Sequence, residues 1–160
     1  MKNINNIVIS LAFLVPFLTA CQSETKTVNA NKSIFDTEIT VYKSPTCGCC
    51  KEWVTYLKEE GFNKVTAVDH DDVDAIKAKF GLPDPKLKSC HTAIVDGYII
   101  EGHVPASDIE RLLSTKPTNI KGLSAPGMPM MSPGMASRTP KDYAVLSFTE
   151  SGETDVYSQY

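Results

Sequence analysis

The stretch EITVYKSPTCGCCKEWVTYLKEEG, residues 38–61, decides the fold class of this chain. Its opening residues are β-branched and aromatic, which favours a strand that ends before Pro45. After the tetrad CGCC, residues 47–50, apolar side chains recur at helical spacing until Gly61 stops the pattern. The segment therefore predicts a strand followed by an amphipathic helix, with three cysteines at the junction.

Strand and helix signals continue to alternate along the following residues. The predicted strands cover residues 38–42, 65–68, 92–95 and 98–100, and the predicted helices run from Lys51 to Gly61, from a cap at Asp71 or Asp72 to Gly81, and from Pro105 to Leu113. Asp96-Gly97 between the last two strands favours a tight hairpin. This β-α-β-α-β-β-α order resembles that of thioredoxin and glutaredoxin folds, so we expect an α/β, thioredoxin-like domain. Where such redox proteins carry a proline before the third strand, this chain has Cys90-His91-Thr92.

The residues after Pro117 are expected to lie outside that unit. Residues 122–140 hold four Pro, three Gly and four Met, too much Pro and Gly for a helix or a central strand. Residues 143–148 alternate as a strand does, and residues 154–157 offer a short partner strand. We therefore expect a C-terminal Met-rich loop that an extra β-hairpin holds at both ends.

Length and charge limit the function classes. A chain of 160 residues suits one folded domain, and its 16 Lys+Arg against 19 Asp+Glu give no basic surface for nucleic acid. We therefore expect no nucleic-acid partner.

The N-terminus reads as an export signal. Residues 1–20 combine Lys2 with an apolar run too short to span a membrane as a helix, and they end in Leu18-Thr19-Ala20-Cys21, which resembles a bacterial lipobox. Residues 1–20 are thus predicted to be a lipoprotein signal peptide, residues 21–36 a flexible tether that starts at a lipidated Cys21, and residues 37–160 the domain. An ordinary signal peptide cut near Ala20 and a buried helix are the alternatives. Gln22 favours the outer membrane, so the predicted location is the periplasm, on a lipid anchor.

The cysteines at positions 47, 49 and 50 are candidate metal ligands. At a helix N-terminus their pKa values are lowered, and the thiolate is both a nucleophile and a soft metal ligand. Gly48 is expected to let the backbone turn so that these sulfurs converge. Cys47 and Cys50 also form a C-x-x-C pair, so thiol–disulfide chemistry and a structural disulfide stay open. In a thioredoxin-like fold Cys90 would bring a fourth sulfur to the other three.

Histidines and methionines extend the candidate set. His103 is expected at the same end of the sheet, His91 is either a ligand or a supporting residue, and His70 is expected to be a bystander. Thioethers bind Cu(I) but have little affinity for Zn(II), so the segment PGMPMMSPGM, residues 126–135, indicates copper. Zinc or an iron–sulfur cluster would leave these methionines without a purpose. Four thiolates with thioethers exceed the needs of one ion, and thiolates bridge metals, which predicts several Cu(I) ions on shared sulfurs.

Four motifs together resemble the CopG-type copper-resistance proteins, a family of small exported CxCC metal-binding proteins long described only as a domain of unknown function. The motifs are CGCC at 47–50, CHT at 90–92, EGHVP at 101–105 and PGMPMMSPGM at 126–135. The resemblance implies a thioredoxin-like fold that holds a sulfur-bridged copper cluster. The residues on its motif positions are Cys47, Cys49, Cys50, Cys90, His103, Met128 and Met135. Met130 and Met131 fall in the spacer, where the motif does not require Met.

Two functions follow from this pattern. The first is a copper-binding protein for copper tolerance, which is not an enzyme and holds Cu(I) on the Cys, Met and His ligands for a copper-handling partner that the sequence does not identify. The second is a periplasmic oxidoreductase that uses the same cysteines for Cu(I)/Cu(II) cycling or for thiol–disulfide exchange. Cys90 in place of the usual proline argues against a simple thiol exchanger.

Overall fold

Strands and helices follow the apolar pattern of the chain in the computed structural model, which describes residues 33–160. Its strands are β1 (Ile39–Lys43), β2 (Val65–Asp69), β3 (His91–Val95), β4 (Tyr98–Gly102), β5 (Gly122–Ala125), β6 (Ala144–Phe148) and β7 (Thr154–Gln159). Its helices are α1 (Gly48–Glu59), α2 (Val73–Phe80) and α3 (Ala106–Thr115), with 3₁₀ turns at Ile34–Asp36 and Pro85–Leu87. The described part is thus a mixed α/β fold.

All seven strands join one mixed sheet in the order β2-β1-β3-β4-β5-β6-β7. The pairs β1–β2 and β4–β5 are parallel and the other pairs are antiparallel. Lys43 at the end of β1 pairs with His91 at the start of β3. This register brings the loop that follows β1 and the residue that precedes β3 to the same end of the sheet.

Two apolar clusters lie on opposite faces of the sheet. The larger one joins α1 and α3 to the strands through residues such as Trp53, Leu57 and Ile109, and the smaller one contains Leu87, Ile99 and Phe148. Ile99 and Ile100 fall in different clusters because neighbouring residues of a strand point to opposite faces. Burying each large apolar side chain contributes about 1.5–3 kcal/mol, so the larger cluster dominates the stability of the fold.

The local signals for α2 and the first hairpin are confirmed. The side chain of Asp72 accepts a hydrogen bond from the backbone N–H of Ala75 at 2.9 Å, and Gly81 ends the helix at φ 76°. Asp96 and Gly97 both have positive φ, 47° and 85°, as a two-residue turn between antiparallel strands requires.

The expectation that residues 122–140 contain no central strand is wrong for the first four of them. β5 lies between β4 and β6 in the middle of the sheet, so the C-terminal residues extend the same sheet. The glycine content of this region argues against a strand, but Gly122 is required inside one. A Cβ at this position would collide with the carbonyl group of Ile99. Glycine is present because the backbones of β4 and β5 approach closely, and the first proline of this region comes only after the strand ends.

The predicted signal peptide and the predicted lipidation site Cys21 lie outside the described residues. Ile34 and Phe35, in the first 3₁₀ turn, pack against the larger apolar cluster. Across residues 33–160, every helix is too short or too polar to cross a membrane.

Candidate metal centre

Three cysteines lie at the N-terminal end of α1. Cys47 precedes the helix, and its sulfur accepts a hydrogen bond from the backbone N–H of Cys50 at 3.3 Å. Backbone N–H groups in a first helical turn lack partners within the helix, so they favour negative charge on a nearby sulfur. Cys47 and Cys50 are joined by a disulfide with their Cα atoms 5.4 Å apart, whereas Cys49 keeps its thiol.

Cys90 brings a fourth sulfur to this group from the segment before β3. Its Sγ lies 4.0 Å from Cys49 Sγ, which in turn lies 3.6 Å from Cys47 Sγ. The four sulfurs of Cys47, Cys49, Cys50 and Cys90 all lie within 4.8 Å of one another. The pairing of β1 with β3 creates this proximity, because it aligns the end of one strand with the start of the other. The cluster could therefore hold a metal ion.

Two buried imidazoles flank the Cys90 sulfur. His103 Nε2 lies 3.1 Å from it and His91 Nδ1 lies 3.4 Å from it. The His103 Nδ1–H donates to the carbonyl oxygen of Pro133 at 2.8 Å, so Nε2 presents its lone pair to Cys90. The ring of His91 packs on the indole of Trp53, with ring centroids 4.5 Å apart. Cys90, His91 and His103 thus form a second group of potential ligands that shares Cys90 with the first.

Burial sets the protonation of these groups. Burial raises the pKa of the Cys90 thiol to about 12, with a further contribution from the neighbouring Cys49. Burial also lowers the pKa of His91 far below its usual value and lowers the pKa of His103. Without a cation the centre holds a protonated Cys90 and two neutral imidazoles. A metal ion would replace the Cys90 proton, because its charge stabilises a buried thiolate.

The buried ion pair of Lys77 and Glu101 holds the backbone next to Cys90 in position. The carboxylate of Glu101 accepts hydrogen bonds from Lys77 Nζ at 2.7 Å, from the Thr92 hydroxyl at 2.6 Å and from the backbone N–H of Ser89 at 2.6 Å. Lys77 is 3% exposed and Glu101 is not exposed at all. Sequence reasoning missed this pair. The signals for it were Lys77, beside Ile76 in the predicted second helix, and Glu101, which directly follows the apolar residues of the predicted fourth strand.

The segment of residues 126–135, the methionine segment below, is fastened to the cysteine-bearing segments at two points. At the first, the Gly127 N–H donates to the Lys88 carbonyl at 2.9 Å and the Ser89 hydroxyl donates to the Gly127 carbonyl. At the second, Gly134 packs directly on the backbone of α1. An added Cβ there would lie 2.9 Å from the Cys49 carbonyl oxygen and 2.7 Å from the backbone nitrogen of Trp53. Both fastening points are therefore adjacent to residues of the cysteine cluster.

The methionines themselves differ in exposure. Met128, Met130 and Met131 are 58%, 64% and 38% exposed, whereas Met135 is half-buried. Met128 and Met135 directly follow the two fastened glycines, and Met130 and Met131 lie between them.

Two residues in or near the cysteine-bearing segments are not among the potential ligands. His70 Nδ1 accepts a hydrogen bond from the Asp72 N–H at 3.1 Å, so its ring is engaged at the start of α2. An added Cβ on Gly48 would meet no atom within 4 Å, and Gly48 does not have a positive φ. Contrary to expectation, the local backbone does not depend on glycine at position 48.

The donor set fits a soft metal ion. Thiolate sulfur and neutral imidazole are the ligands that copper and zinc prefer. His103 has the arrangement typical of a metal-binding histidine, in which the second ring N–H donates to a backbone carbonyl and fixes the tautomer.

Comparisons with known proteins agree with this chemistry. Residues 87–135 match the family described as DUF411, a protein of unknown function. A solved structure named copper resistance protein copG, form 2, is 40% identical, and the match covers 78% of this chain and 98% of that chain with a TM-score of 0.71. Form 1 of the same protein matches with the same identity and coverage and a TM-score of 0.70. No curated protein matches this chain.

Proposed function

Because this chain belongs to the family of the copper resistance protein CopG, we propose that it is an exported copper-binding protein that serves copper tolerance. It holds Cu(I) as a thiolate-bridged cluster. The proposed ligands are Cys47, Cys49, Cys50, Cys90, His103, Met128 and Met135, with His91, Met130 and Met131 as additional ones. In this proposal the elements from β1 to α3 form a thioredoxin-like unit, which their β-α-β-α-β-β-α order supports.

One observation carries the proposal: four cysteine sulfurs lie within 4.8 Å of one another. Four thiolates this close repel one another strongly unless cations neutralise them. A single ion needs at most four ligands, whereas sulfurs that bridge neighbouring ions can serve several Cu(I) at once. In this form the Cys47–Cys50 disulfide is reduced, and both residues contribute thiolates.

The methionines favour copper over zinc. Zinc sites in proteins use thiolate, imidazole and carboxylate, and thioether is a poor ligand for them. Gly127 bonds to the Lys88–Ser89 segment and Gly134 packs on Cys49, and these contacts support ligand roles for Met128 and Met135, which follow the two glycines. A copper site on these residues gives the methionine segment a chemical purpose.

The test is a Cu(I) titration of the reduced protein against a competing Cu(I) chelator under anaerobic conditions. We expect more than one copper ion per chain, and a sulfur-dominated first shell by X-ray absorption. Cys90→Ser should lower the copper content, whereas His70→Gln, a histidine outside the cluster, should leave it unchanged. Retention of less than one copper ion per wild-type chain would contradict the proposal.

A second candidate function is an oxidoreductase on the same cysteines. The Cys47–Cys50 disulfide at a helix N-terminus favours it, because this is a placement that lowers thiol pKa values and promotes exchange. Reduction of insulin disulfides by the metal-free protein separates the two functions. Fast turnover that Cys47→Ser abolishes supports the exchanger, and a rate equal to that of buffer excludes thiol–disulfide exchange and leaves copper binding with or without Cu(I)/Cu(II) cycling.

We also propose that the mature protein faces the periplasm from a membrane, through a lipid on Cys21, with the outer membrane as the favoured location. The lipobox-like residues 18–21 support this. Cys21→Ala should move the protein from the membrane fraction to the soluble fraction, and an unchanged distribution would contradict the anchor.

A further inference from the structure

The Cys47–Cys50 disulfide removes two of the four sulfurs from the proposed copper cluster. A disulfide sulfur carries no negative charge and is a far weaker ligand than a thiolate. With the disulfide in place, the cysteine cluster cannot hold several Cu(I) ions through bridging thiolates. Cys49 and Cys90 keep their thiols in this state.

A complete set of ligands nevertheless remains around Cys90. Its sulfur lies 3.1 Å from His103 Nε2 and 3.4 Å from His91 Nδ1. A metal ion with bonds of about 2.0–2.3 Å to nitrogen and sulfur brings such ligand atoms to about 3.5 Å from one another. The observed spacing of Cys90, His91 and His103 therefore suits one ion without rearrangement of the backbone.

The two histidines are also prepared for a metal ion. His103 Nδ1–H donates to Pro133, which reserves Nε2 for the ion. His91 is completely buried, and its Nδ1, 3.4 Å from the Cys90 sulfur, is the ring nitrogen placed to bind the ion.

We propose that the disulfide form of this protein holds a single copper ion on Cys90, His91 and His103, so that the redox state of Cys47–Cys50 switches the centre between one ion and several. This rests on the proposed copper function and adds its regulation. Cys49, whose sulfur lies 4.0 Å from that of Cys90, is placed to supply a fourth ligand.

The switch is an ordinary thiol–disulfide exchange. Cys47 and Cys50, which are thiolates in the cluster, lose two electrons and form their S–S bond, while an external protein disulfide accepts these two electrons, takes two protons from solvent and becomes a dithiol. The cluster ions leave as their thiolates are consumed. The ion on Cys90 stays, because none of its three ligands takes part in the exchange. On binding, this ion displaces the Cys90 thiol proton to solvent.

The test compares the two redox forms of the mature chain carrying Cys21→Ala, which removes the lipid. The disulfide form is verified by alkylation, which should label two thiols, Cys49 and Cys90. Copper is supplied as Cu(I) with ascorbate, which keeps copper reduced without opening the disulfide, against a competing chelator. We expect one ion per disulfide chain and more than one per dithiol-reduced chain. X-ray absorption of the disulfide form should show nitrogen and sulfur ligands together.

Histidine variants give the specific readout. His91→Ala and His103→Gln should each weaken copper binding by the disulfide form at least tenfold, whereas His70→Gln should not change it. Circular dichroism checks that each variant is folded. If His91→Ala unfolds because its ring supports Trp53, His103→Gln decides the question.

The outcomes separate this inference from the proposed function. A reduced chain that binds several ions, with a disulfide chain that binds none, overturns the switch and leaves the copper function standing. A disulfide chain that binds one ion independently of both histidines also overturns it. A disulfide chain with one histidine-dependent ion supports the site even if the reduced chain fails to hold a cluster.

Discussion

Gly134 and Gly48 show how differently two glycines of the same site are used. Gly134 has φ 84°, and an added Cβ would lie 2.7 Å from the backbone nitrogen of Trp53. Gly48 has no positive φ and faces open space. At the residue scale, Gly134 is required for the methionine segment to pack on α1, whereas Gly48 is replaceable.

Gly134→Ala is therefore expected to lower the free energy of unfolding by about 2–3 kcal/mol, from backbone strain and overpacking against Trp53. It should also weaken Cu(I) binding, because the segment that carries Met135 is displaced. Urea denaturation and a chelator competition measure the two effects. Gly48→Ala is the matched control, and its unfolding free energy should change by less than about 1 kcal/mol. Equal stability of the two variants would show that Gly134 does not touch α1 in solution.

At the scale of elements, the Lys77–Glu101 pair connects α2 to β4 and supports the turn before β3. Lys77 and Glu101 are both buried, and Glu101 also accepts the Ser89 N–H. Burial raises the pKa of Glu101, and Lys77 opposes that rise. The pair therefore fixes the backbone next to Cys90, although neither residue is a proposed ligand.

Removing one partner of this pair should be costly. Glu101→Ala leaves Lys77 buried without a counter-charge and should reduce the free energy of unfolding by about 3–5 kcal/mol. The double variant Lys77→Met/Glu101→Leu should be clearly more stable than Glu101→Ala, because no charge is then buried. Urea denaturation of the three proteins measures this. A double variant no more stable than Glu101→Ala would mean that the hydrogen bonds to Ser89 and Thr92, not the charge, determine the loss.

The elements also show where sequence reasoning succeeds and where it stops. α2 was predictable because Asp72 and Gly81 provide local capping, which depends on neighbouring residues alone. β5 was not predictable, because it is a strand of only four residues that begins with a glycine. That glycine is needed because the backbone of β4 lies so close that a side chain would collide with it. A long-range contact of this kind leaves no periodic signal in the sequence.

At the scale of the whole molecule, the sheet gathers the cysteine-bearing segments at one end. The meeting of Cys90 with the CGCC cysteines was predictable, since it follows from strand order. The orientation of both histidines toward the Cys90 sulfur was not, because a residue at a strand border points to either face. The outward exposure of Met128, Met130 and Met131 was not predictable either, since a loop rich in Pro and Gly has no regular period.

Copper should stabilise the folded molecule, because the proposed metal site forms only when these segments are assembled. A ligand at about 100 times its dissociation constant adds about 2.7 kcal/mol to the free energy of unfolding, provided that the unfolded chain does not bind it. We expect the melting temperature of the reduced protein to rise with free Cu(I) concentration in a chelator-buffered series. A chain in which Ser replaces Cys47, Cys49, Cys50 and Cys90 should show a much smaller rise. An unchanged melting temperature in the wild-type chain would mean that copper does not bind the native state.

The methionine segment is fastened through backbone groups, namely the N–H and carbonyl of Gly127, the closely packed Gly134 and the Pro133 carbonyl that accepts from His103. The donors at positions 128 and 135 are therefore interchangeable without dismantling the frame that presents them. A histidine or a carboxylate placed at either position would retune the metal preference of the centre from soft toward harder ions. Selectivity and architecture are separable in this fold, which makes it a suitable scaffold for designed metal sites.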